Sequence, residues 1–324
     1  MTILVTGAAG FIGSYVSHAL LGRGETIIGL DNVNDYYPCS LKRARLARLE
    51  PEAGFTFHEI DIADYEALSS LLNNAGVTSI IHLAAQAGVR YSIENPFAYG
   101  RSNLMGHLSI LEIARRMEVA HLVYASSSSI YGANTEIPFA EDHKTDKPVS
   151  LYGATKKADE LMSSSYARLY SLPLTGLRFF TVYGPWGRPD MAYWIFTEKM
   201  LKGEPIQIFN HGHMGRDFTF IDDIVDGVLA AHDTPPGADE VFHRVYNLGN
   251  DRPEKLMTLI ALLEKELGIE AKKEMTGMQA GDVEQTWADI SNARRDLGYQ
   301  PKVTLAEGVA KFIKWRRSIP KAFE

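Results

Sequence analysis

The chain has 324 residues, of which 45% are hydrophobic and 23% are charged, and its formal net charge at pH 7 is -7. This composition excludes an intrinsically disordered or fibrous protein, and the length suffices for about two domains of ~150 residues each. Acidic residues number 40 against 33 basic ones, with no long run of either sign, so nucleic acid is not expected as a partner.

Short β-branched runs alternate with helical patterns along the first half of the chain. This order predicts a parallel sheet covered by helices on both faces, a doubly wound α/β fold of the Rossmann type. The predicted strands are residues 3–5, 26–30, 56–60, 79–83, 122–125 and 175–179. The predicted helices are residues 13–21, 65–73, 102–116 and 152–170.

The pattern changes after Phe180, where Pro185 and Pro189 interrupt it and polar loops follow at residues 210–215 and 277–283. We therefore predict two domains. The larger, dinucleotide-binding domain covers residues 1–180, and parts of 216–250 return to it. A smaller, interleaved substrate domain covers residues 181–324.

A glycine-rich turn, GAAGFIG at residues 7–13, lies between the first predicted strand and the first helix. Bare backbone and helix N-terminal amides in such a turn can approach a pyrophosphate, although glycines also end strands for purely structural reasons. Asp31 closes the second strand, where a carboxylate accepts hydrogen bonds from an adenosine ribose. Its charge would repel a 2′-phosphate, and the next basic residues, Lys42 and Arg43, follow about a dozen positions later. The turn therefore predicts NAD rather than NADP.

Tyr152 and Lys156 are four positions apart in a helical pattern, so their side chains project from one face. A run of serines, residues 126–129, ends the fifth predicted strand at the edge where open α/β sheets bind ligands. Taken alone, the spacing of the tyrosine and the lysine can arise by chance, and a serine run at the end of a strand can be a helix cap or a polar turn. Together with the glycine turn they form a specific arrangement at the edge where such a sheet binds its ligand.

The single cysteine, Cys39, excludes a disulfide framework and a cysteine-rich zinc site. No metal site is predicted. We find neither a signal peptide nor an apolar run near the ~18 residues of a membrane-spanning helix. The sequence therefore predicts a cytoplasmic protein without membrane contact.

On the residues above, the sequence resembles the extended short-chain dehydrogenase/reductase family, in its nucleotide-sugar branch, over essentially the whole chain. Further matching stretches are HLAA at 82–85, Asn103, IYG at 130–132, YGATK at 152–156, RFF at 178–180 and RDF at 216–218. The resemblance implies that Tyr152 is the acid/base, that Lys156 lowers its pKa and holds the nicotinamide ribose, and that Ser127 hydrogen-bonds the reacting oxygen.

The resemblance also implies a set of NAD contacts. They are Gly7, Ala9, Gly10, Phe11, Ile12, Gly13, Asp31, Asn32, Asp61, Ile62, Leu83, Ala84, Ala85, Gln86, Asn103, Ala125, Tyr152, Lys156 and Phe179. For Asp61, capping of the helix that follows is the alternative.

Dehydratases and decarboxylases of this family carry a carboxylate just after the catalytic serine or threonine, whereas Ser128 and Ser129 occupy those positions here. That favours epimerisation, in which hydride leaves, the sugar rotates and hydride returns. The stretches NDYY at 34–37, QAGVRYS at 86–92, WGRPDM at 186–191 and QAGDV at 279–283 resemble the UDP-glucuronate 4-epimerase group. This implies reversible C4 epimerisation of UDP-glucuronate to UDP-galacturonate. The alternatives are a 4-epimerase of neutral or N-acetylated UDP-hexoses, a UDP-glucuronate decarboxylase and a non-catalytic NAD-sensing regulator.

Oxidation of a uronic acid at C4 gives a β-keto acid, which tends to lose carbon dioxide. We hypothesise that a clamp of hydroxyls holds the carboxylate out of the reactive geometry, with Arg188 as a charged contact. For Arg188, a diphosphate contact or a surface ion pair is the alternative. The clamp residues are Ser128, Ser129 and Thr181.

Further substrate contacts are implied by the resemblance: Arg216 pairs with the diphosphate, Gln279 and Asp282 with the ribose, and Gln207 and Phe209 with uracil. Arg90 either orders the loop over the sugar or forms a surface ion pair. A homodimer through a bundle of helices 102–116 and 152–170 is also implied.

Overall fold

The computed structural model describes residues 1–237, 242–279, 281–319 and 323. Its strands are β1 (Thr2–Thr6), β2 (Thr26–Asp31), β3 (Phe55–Glu59), β4 (Ser79–His82), β5 (His121–Ser127), β6 (Leu174–Phe179), β7 (Thr181–Tyr183), β8 (Ile206–Ile208), β9 (Gly215–Phe220), β10 (His243–Leu248), β11 (Pro253–Lys255) and β12 (Lys273–Met275). Its helices are α1 (Phe11–Gly22), α2 (Cys39–Leu46), α3 (Tyr65–Leu72), α4 (Tyr91–Glu94), α5 (Pro96–Tyr99), α6 (Gly106–Arg116), α7 (Leu151–Tyr170), α8 (Ala192–Lys202), α9 (Ile221–His232), α10 (Leu256–Leu267), α11 (Ser291–Leu297) and α12 (Leu305–Ser318).

The main sheet has seven parallel strands in the order β10-β6-β5-β4-β1-β2-β3. The chain moves outward from β1 in one direction and then returns to build the other half from β4. The strand order therefore reverses between β1 and β4, which is where doubly wound sheets bind their ligands. The predicted α/β fold is confirmed.

Both faces of this sheet are buried. In β1, the side chains of Ile3 and Val5 belong to the hydrophobic cluster on one face, and Leu4 belongs to the cluster on the other. All three side chains are fully buried. Burial on both faces explains why the strands read as continuous apolar runs rather than alternating ones. Each such side chain contributes about 1.5–3 kcal/mol of hydrophobic stabilisation.

The structure differs from the sequence prediction in several elements. The predicted helix at 102–116 begins instead as a π-helical turn, Gly100–Met105, that continues into α6. Helices α2, α4 and α5 were not predicted. The last sheet strand, β10, was not predicted either, and it pairs with β6 at the edge of the sheet.

The C-terminal half also forms two small sheets, β11-β9-β7 and β12-β8. Within that half, α9 packs against α1 and β10 joins the main sheet, while β9 belongs to a small sheet. The chain therefore crosses between the two parts more than once. The exact division at residue 180 stays a prediction.

Among the described residues, no helix combines the length and the apolar character needed to cross a membrane. The cytoplasmic location stays a prediction.

Candidate functional site

A first cavity, of about 240 Å³, opens at the carboxyl ends of the central strands, next to the reversal in strand order. Most of the residues predicted to bind the dinucleotide line it: Gly7, Gly10, Phe11, Ile12, Gly13, Asp31, Asn32, Ile62, Leu83, Ala84, Ala85, Gln86, Ala125, Tyr152, Lys156 and Phe179. Three of the predicted contacts, Ala9, Asp61 and Asn103, do not line this cavity.

The glycine turn is packed too tightly for side chains. Gly7 has a φ of +73°, and a Cβ there would lie 2.8 Å from the backbone nitrogen of Ala84. A Cβ at Gly13 would lie 2.0 Å from the carbonyl oxygen of Gly7. The turn closes on itself through a 2.8 Å hydrogen bond from the Gly10 amide to that same carbonyl. Bare backbone therefore faces the cavity, as the approach of a pyrophosphate requires.

Asp31 is held by the backbone around it. Its carboxylate accepts hydrogen bonds from the amides of Ala9 at 3.1 Å and Val33 at 2.8 Å, so Ala9 acts on the site through Asp31. Burial raises the pKa of Asp31, and the Val33 amide and the Lys42 ammonium oppose that rise. Lys42 was treated as remote because it follows eleven positions later in the sequence, but α2 folds back and places Lys42 on the cavity wall.

Asn103 and Asp61 have structural partners. The Asn103 side chain accepts from the Gln86 amide at 2.8 Å and donates to Thr155 Oγ1 at 3.0 Å, so it ties the loop after β4 to α7. Asp61 pairs with Arg101 at 3.0 Å. The alternative prediction for Asp61 was wrong, because the N-cap of α3 is Asp64.

The predicted catalytic residues meet where β5 ends and α7 begins. Ser127 is the last residue of β5, and Tyr152 and Lys156 lie in the first turns of α7. A Cβ at Gly153 would lie 2.5 Å from the carbonyl oxygen of Ser129, so only glycine lets α7 approach the serine run this closely. Ser127 and Tyr152 line both this cavity and a second one.

Lys156 is fixed by two partners. Its ammonium donates to the carbonyl oxygen of Ala125 at 3.0 Å and to Asp159 Oδ2 at 3.1 Å. Burial raises the pKa of Asp159 to about 6, and Lys156 opposes that rise. The ammonium is thus held in a buried position on the same helix face as Tyr152.

The second cavity, of about 620 Å³, adjoins the first. The residues predicted to bind substrate that line it are Arg90, Ser127, Ser128, Ser129, Thr181, Arg188, Gln207, Phe209, Arg216 and Asp282. Gln279 does not line it, and its Oε1 atom is buried without a hydrogen-bond partner among the described residues. The neighbouring Ala280 lies outside the described residues. The two cavities meet at Tyr36, Ser127, Tyr152, Phe179, Phe180, Arg188 and Met191.

Two arginines in this cavity differ in their partners. Arg188 pairs with Asp190, as described below, whereas Arg216 forms no ion pair with any residue that the structure describes. Arg216 Nη1 donates to the carbonyl oxygens of Gly215 at 2.8 Å and Glu284 at 3.2 Å. Burial lowers the pKa of Arg216. A partly buried guanidinium whose hydrogen bonds go to carbonyl oxygens, and whose charge is only partly balanced by Asp282, is suited to receive an anion.

Arg90 connects two residues predicted to hold the nucleotide. Its guanidinium lies 3.7 Å from Asp282 Oδ2 and 4.9 Å from the centre of the Phe209 ring. The side chain is about half exposed. It therefore bridges the loop after β4 to Asp282 and Phe209 as the half-exposed ion pair that was one alternative, and its role in ordering the loop over a sugar stays a prediction.

Three residues of the site had no predicted role. Tyr36 and Asp190 line the second cavity, and Arg45, from α2, lies fully buried beneath the glycine turn. Tyr36 and Asp190 belong to stretches that carried the resemblance. Arg45 gave no signal, because a basic residue in the run KRAR looks like part of a solvated helix face.

Comparison with known proteins gives consistent matches. A model of the NAD dependent epimerase/dehydratase family matches residues 3–249. UDP-glucuronate 4-epimerase 4 of Arabidopsis thaliana is 52% identical, with 97% of this chain and 75% of that protein covered. Protein CapI of Staphylococcus aureus is 46% identical, with 97% of this chain and 98% of that protein covered. The crystal structure of UDP-glucuronic acid 4-epimerase from Bacillus cereus, in complex with UDP-glucuronic acid and NAD, has a TM-score of 0.91 and 36% identity, with coverage of 98% of this chain and 99% of that one.

Proposed function

Because the chain belongs to the NAD-dependent epimerase/dehydratase family, we propose that it catalyses the reversible C4 epimerisation of UDP-glucuronate to UDP-galacturonate, using bound NAD as a transient hydride acceptor. One feature carries the proposal. The two positions after Ser127 are serines rather than carboxylates, and they share a cavity wall with Thr181, Arg188 and Tyr152. The relatives named UDP-glucuronate 4-epimerase support the same substrate.

The residues of the first cavity fit NAD. The glycine turn can close only because side chains are missing at Gly7 and Gly13, and it presents bare backbone where a pyrophosphate would bind. Asp31 and Lys156 both line the cavity, and they would hold the adenosine ribose and the nicotinamide ribose of NAD. Bound NAD accepts a hydride from C4 of the sugar and later returns it. Because no net oxidation occurs, the cofactor is expected to stay on the enzyme through the cycle.

Tyr152 takes the proton from the O4 hydroxyl and returns it at the end of the cycle. Lys156 brings a positive charge to the same face of α7 as Tyr152, and its bonds to Ala125 and Asp159 keep that charge in place. Ser127 supplies a hydroxyl at the same end of the cavity, where it can donate to the reacting oxygen. Side chains of this kind supply about 10²–10⁴-fold of rate through proton transfer.

The keto intermediate must keep its carboxylate. Decarboxylation requires the breaking bond to stand perpendicular to the plane of the C4 carbonyl. Hydroxyls of Ser128, Ser129 and Thr181 that hold the carboxylate near that plane therefore protect the intermediate. Arg216 and Arg90 line the same cavity and would hold the UDP portion while the sugar turns.

We also propose a homodimer through α6 and α7. Apolar side chains are exposed on this side of the molecule, among them Phe97 at 88%, Leu161 at 61% and Leu169 at 67% exposure. The sequence alone could not divide core from surface in these helices, and the exposure of their side chains supports the proposed interface. Leu111 of α6 is fully buried, whereas Leu161 of α7 faces outward. Contiguous exposed apolar surface is typical of an association site.

The proposal is tested by incubating purified protein with UDP-glucuronate and no added cofactor, then resolving the sugar nucleotides by proton NMR. We expect UDP-galacturonate to appear, and the Tyr152→Phe variant to give none while retaining its NAD. No product even with added NAD would contradict the proposal. A UDP-pentose would indicate a decarboxylase, and turnover of UDP-glucose or UDP-N-acetylhexoses alone would indicate a neutral-sugar epimerase. Full activity of Tyr152→Phe would refute the assigned base.

A further inference from the structure

The guanidinium of Arg188 is already paired inside the substrate cavity. Its Nε donates to Asp190 Oδ1 at 3.0 Å, and its Nη2 donates to Asp190 Oδ2 at 2.5 Å. Tyr36 also donates its phenol to Asp190 Oδ2, at 2.9 Å. Bidentate pairing of this kind fixes the geometry of both partners. Hydrogen bonds from Arg188 and Tyr36 therefore fix the orientation of the Asp190 carboxylate.

The pair is largely shielded from solvent, with side-chain exposures of 23% for Arg188 and 27% for Asp190. Burial opposes the charge on Arg188, but Asp190 more than offsets this, and the pKa of Arg188 lies above its usual range. Burial likewise opposes the charge on Asp190, and Arg188 brings the pKa of that carboxyl below its usual range. Both side chains are thus ionised, and together they present almost no net charge to the cavity.

Arg188 nevertheless has further N–H groups that can donate hydrogen bonds to a substrate carboxylate. A guanidinium carries more N–H groups than the two that Asp190 takes. Arg188 lines both cavities and lies close enough to Tyr152 for their charges to interact. A carboxylate on the sugar at this junction can therefore accept hydrogen bonds from Arg188 while it also meets the negative charge of Asp190.

The proposed reaction requires Arg188 to recognise the substrate carboxylate and also to release it while the sugar turns. Hydride leaves C4 from one face and returns to the other, while the cofactor stays on one side, so the keto sugar must turn over between the two transfers. An unpaired buried arginine would bind a uronate strongly and hold it in one orientation. Tight ground-state binding of this kind slows the step that must break it.

We propose that Asp190 is a specificity-determining residue that acts through Arg188: it weakens the hold of the guanidinium on the substrate carboxylate, so that a uronate is recognised and can still turn. Asp190 is a positioning residue in this role, and Tyr36 orients it. The inference rests on the proposed function, because a neutral sugar would not require a moderated arginine.

The test compares ligands with and without a carboxylate. In the non-turnover background Tyr152→Phe, loaded with NAD, calorimetric titration gives the Kd of UDP-glucuronate and of UDP-glucose before and after Asp190→Asn. We expect the Kd of UDP-glucuronate to fall about tenfold and that of UDP-glucose to change less than about twofold. With Tyr152 intact, Asp190→Asn should lower kcat and KM for UDP-glucuronate together, each about tenfold.

Matched variants separate this role from structural damage. Asp146→Asn removes the same charge from an exposed position and should leave both Kd values unchanged. Asp190→Glu keeps the carboxylate and should keep the two Kd values closer to their original ratio than Asp190→Asn does. If Asp190→Asn does not fold, as judged by thermal melting and NAD retention, Asp190→Ser serves the same comparison.

An equal change for the two ligands, or a raised KM for UDP-glucuronate, would overturn the inference. The proposed function fails by a different observation, the lack of UDP-galacturonate from the unmodified enzyme. The ratio of the two Kd values is measured without turnover, so the two failures are distinguishable.

Discussion

Replacement of Arg45 by methionine tests whether a buried cation joins the two halves of the site. Arg45 has no solvent exposure. Its guanidinium donates to four oxygens: Trp186 O at 2.9 Å, Gly187 O at 2.7 Å, Ala9 O at 3.1 Å and Tyr37 Oη at 2.7 Å. The glycine turn and the loop that leads to Arg188 are therefore attached to the same side chain.

The expected change in the free energy of unfolding depends on the buried oxygens that lose their hydrogen-bond donor when Arg45 becomes methionine. The methionine side chain fills most of the volume of the arginine stem, so little cavity forms. Buried oxygens that lose their donor cost about 1–3 kcal/mol each, partly offset because a charge no longer has to be buried. Trp186 also has a φ of +58°, a backbone conformation that side chains rarely adopt, and the bond from Arg45 helps to hold it there. We expect Arg45→Met to lower the free energy of unfolding by about 4 kcal/mol.

The assay is urea denaturation at a fixed NAD concentration, followed by far-ultraviolet circular dichroism, together with the amount of NAD retained on gel filtration. Arg43→Met is the matched control on the same helix. Arg43 pairs with Glu59 at the surface, with side-chain exposures of 53% and 49%, and its loss should cost less than about 1 kcal/mol. Equal destabilisation by the two variants, with full retention of NAD, would refute the reasoning.

Three further predictions address the carboxylate, acid stability and assembly. With NAD added as the oxidant, Ser128→Ala combined with Thr181→Ala should convert UDP-glucuronate to a UDP-4-keto-pentose, with one carbon dioxide released and one NAD reduced to NADH for each product formed, as measured by trapped gas, absorbance and NMR; if no carbon dioxide forms, the clamp is wrong. Burial opposes the charge of Glu160, but the bidentate bonds from Arg178 outweigh this and lower the Glu160 pKa. A lowered pKa stabilises the fold above the unfolded value of ~4.3, and that contribution is lost as pH falls through the folded pKa. Glu160→Gln should therefore cost about 3–5 kcal/mol near neutral pH and flatten the acid limb of the stability curve, whereas a curve parallel to that of the unmodified protein would contradict this. Leu169→Glu should shift the protein from dimer to monomer in light scattering, and an unmodified protein that is already monomeric would contradict the interface.

The sequence was most informative where a local pattern has one structural solution. Apolar runs and the glycine turn predicted the doubly wound α/β fold and the position of the dinucleotide-binding turn, because a tight turn between a buried strand and a helix fixes the geometry of the backbone. The spacing of Tyr152 and Lys156 likewise placed both on one helix face, since helical periodicity does not depend on tertiary contacts.

The sequence was least informative where a role depends on folding over a distance. Lys42 looked remote from Asp31 along the chain, yet α2 returns it to the cavity wall. The partners of Arg45 come from positions 9, 37, 186 and 187, which no local pattern connects. The sequence leaves the role of Arg188 open between a contact to the substrate carboxylate and a diphosphate contact or a surface ion pair, and only the folded structure pairs it with Asp190 on the cavity wall.

The position of β10 at the edge of the main sheet has a consequence for synthesis of the protein. The ribosome delivers β6 long before β10, with β7, α8, β8, β9 and α9 in between. During that interval one edge of β6 has no strand partner. All residues of β6 are buried in the finished protein, and an unpaired edge of such a strand can template aggregation. A nascent chain that stops before residue 243 therefore carries a nearly complete main sheet that is still prone to aggregate. Pairing with β10 removes this exposed edge, so a chaperone that covers the edge of β6 would be most useful until β10 emerges from the ribosome.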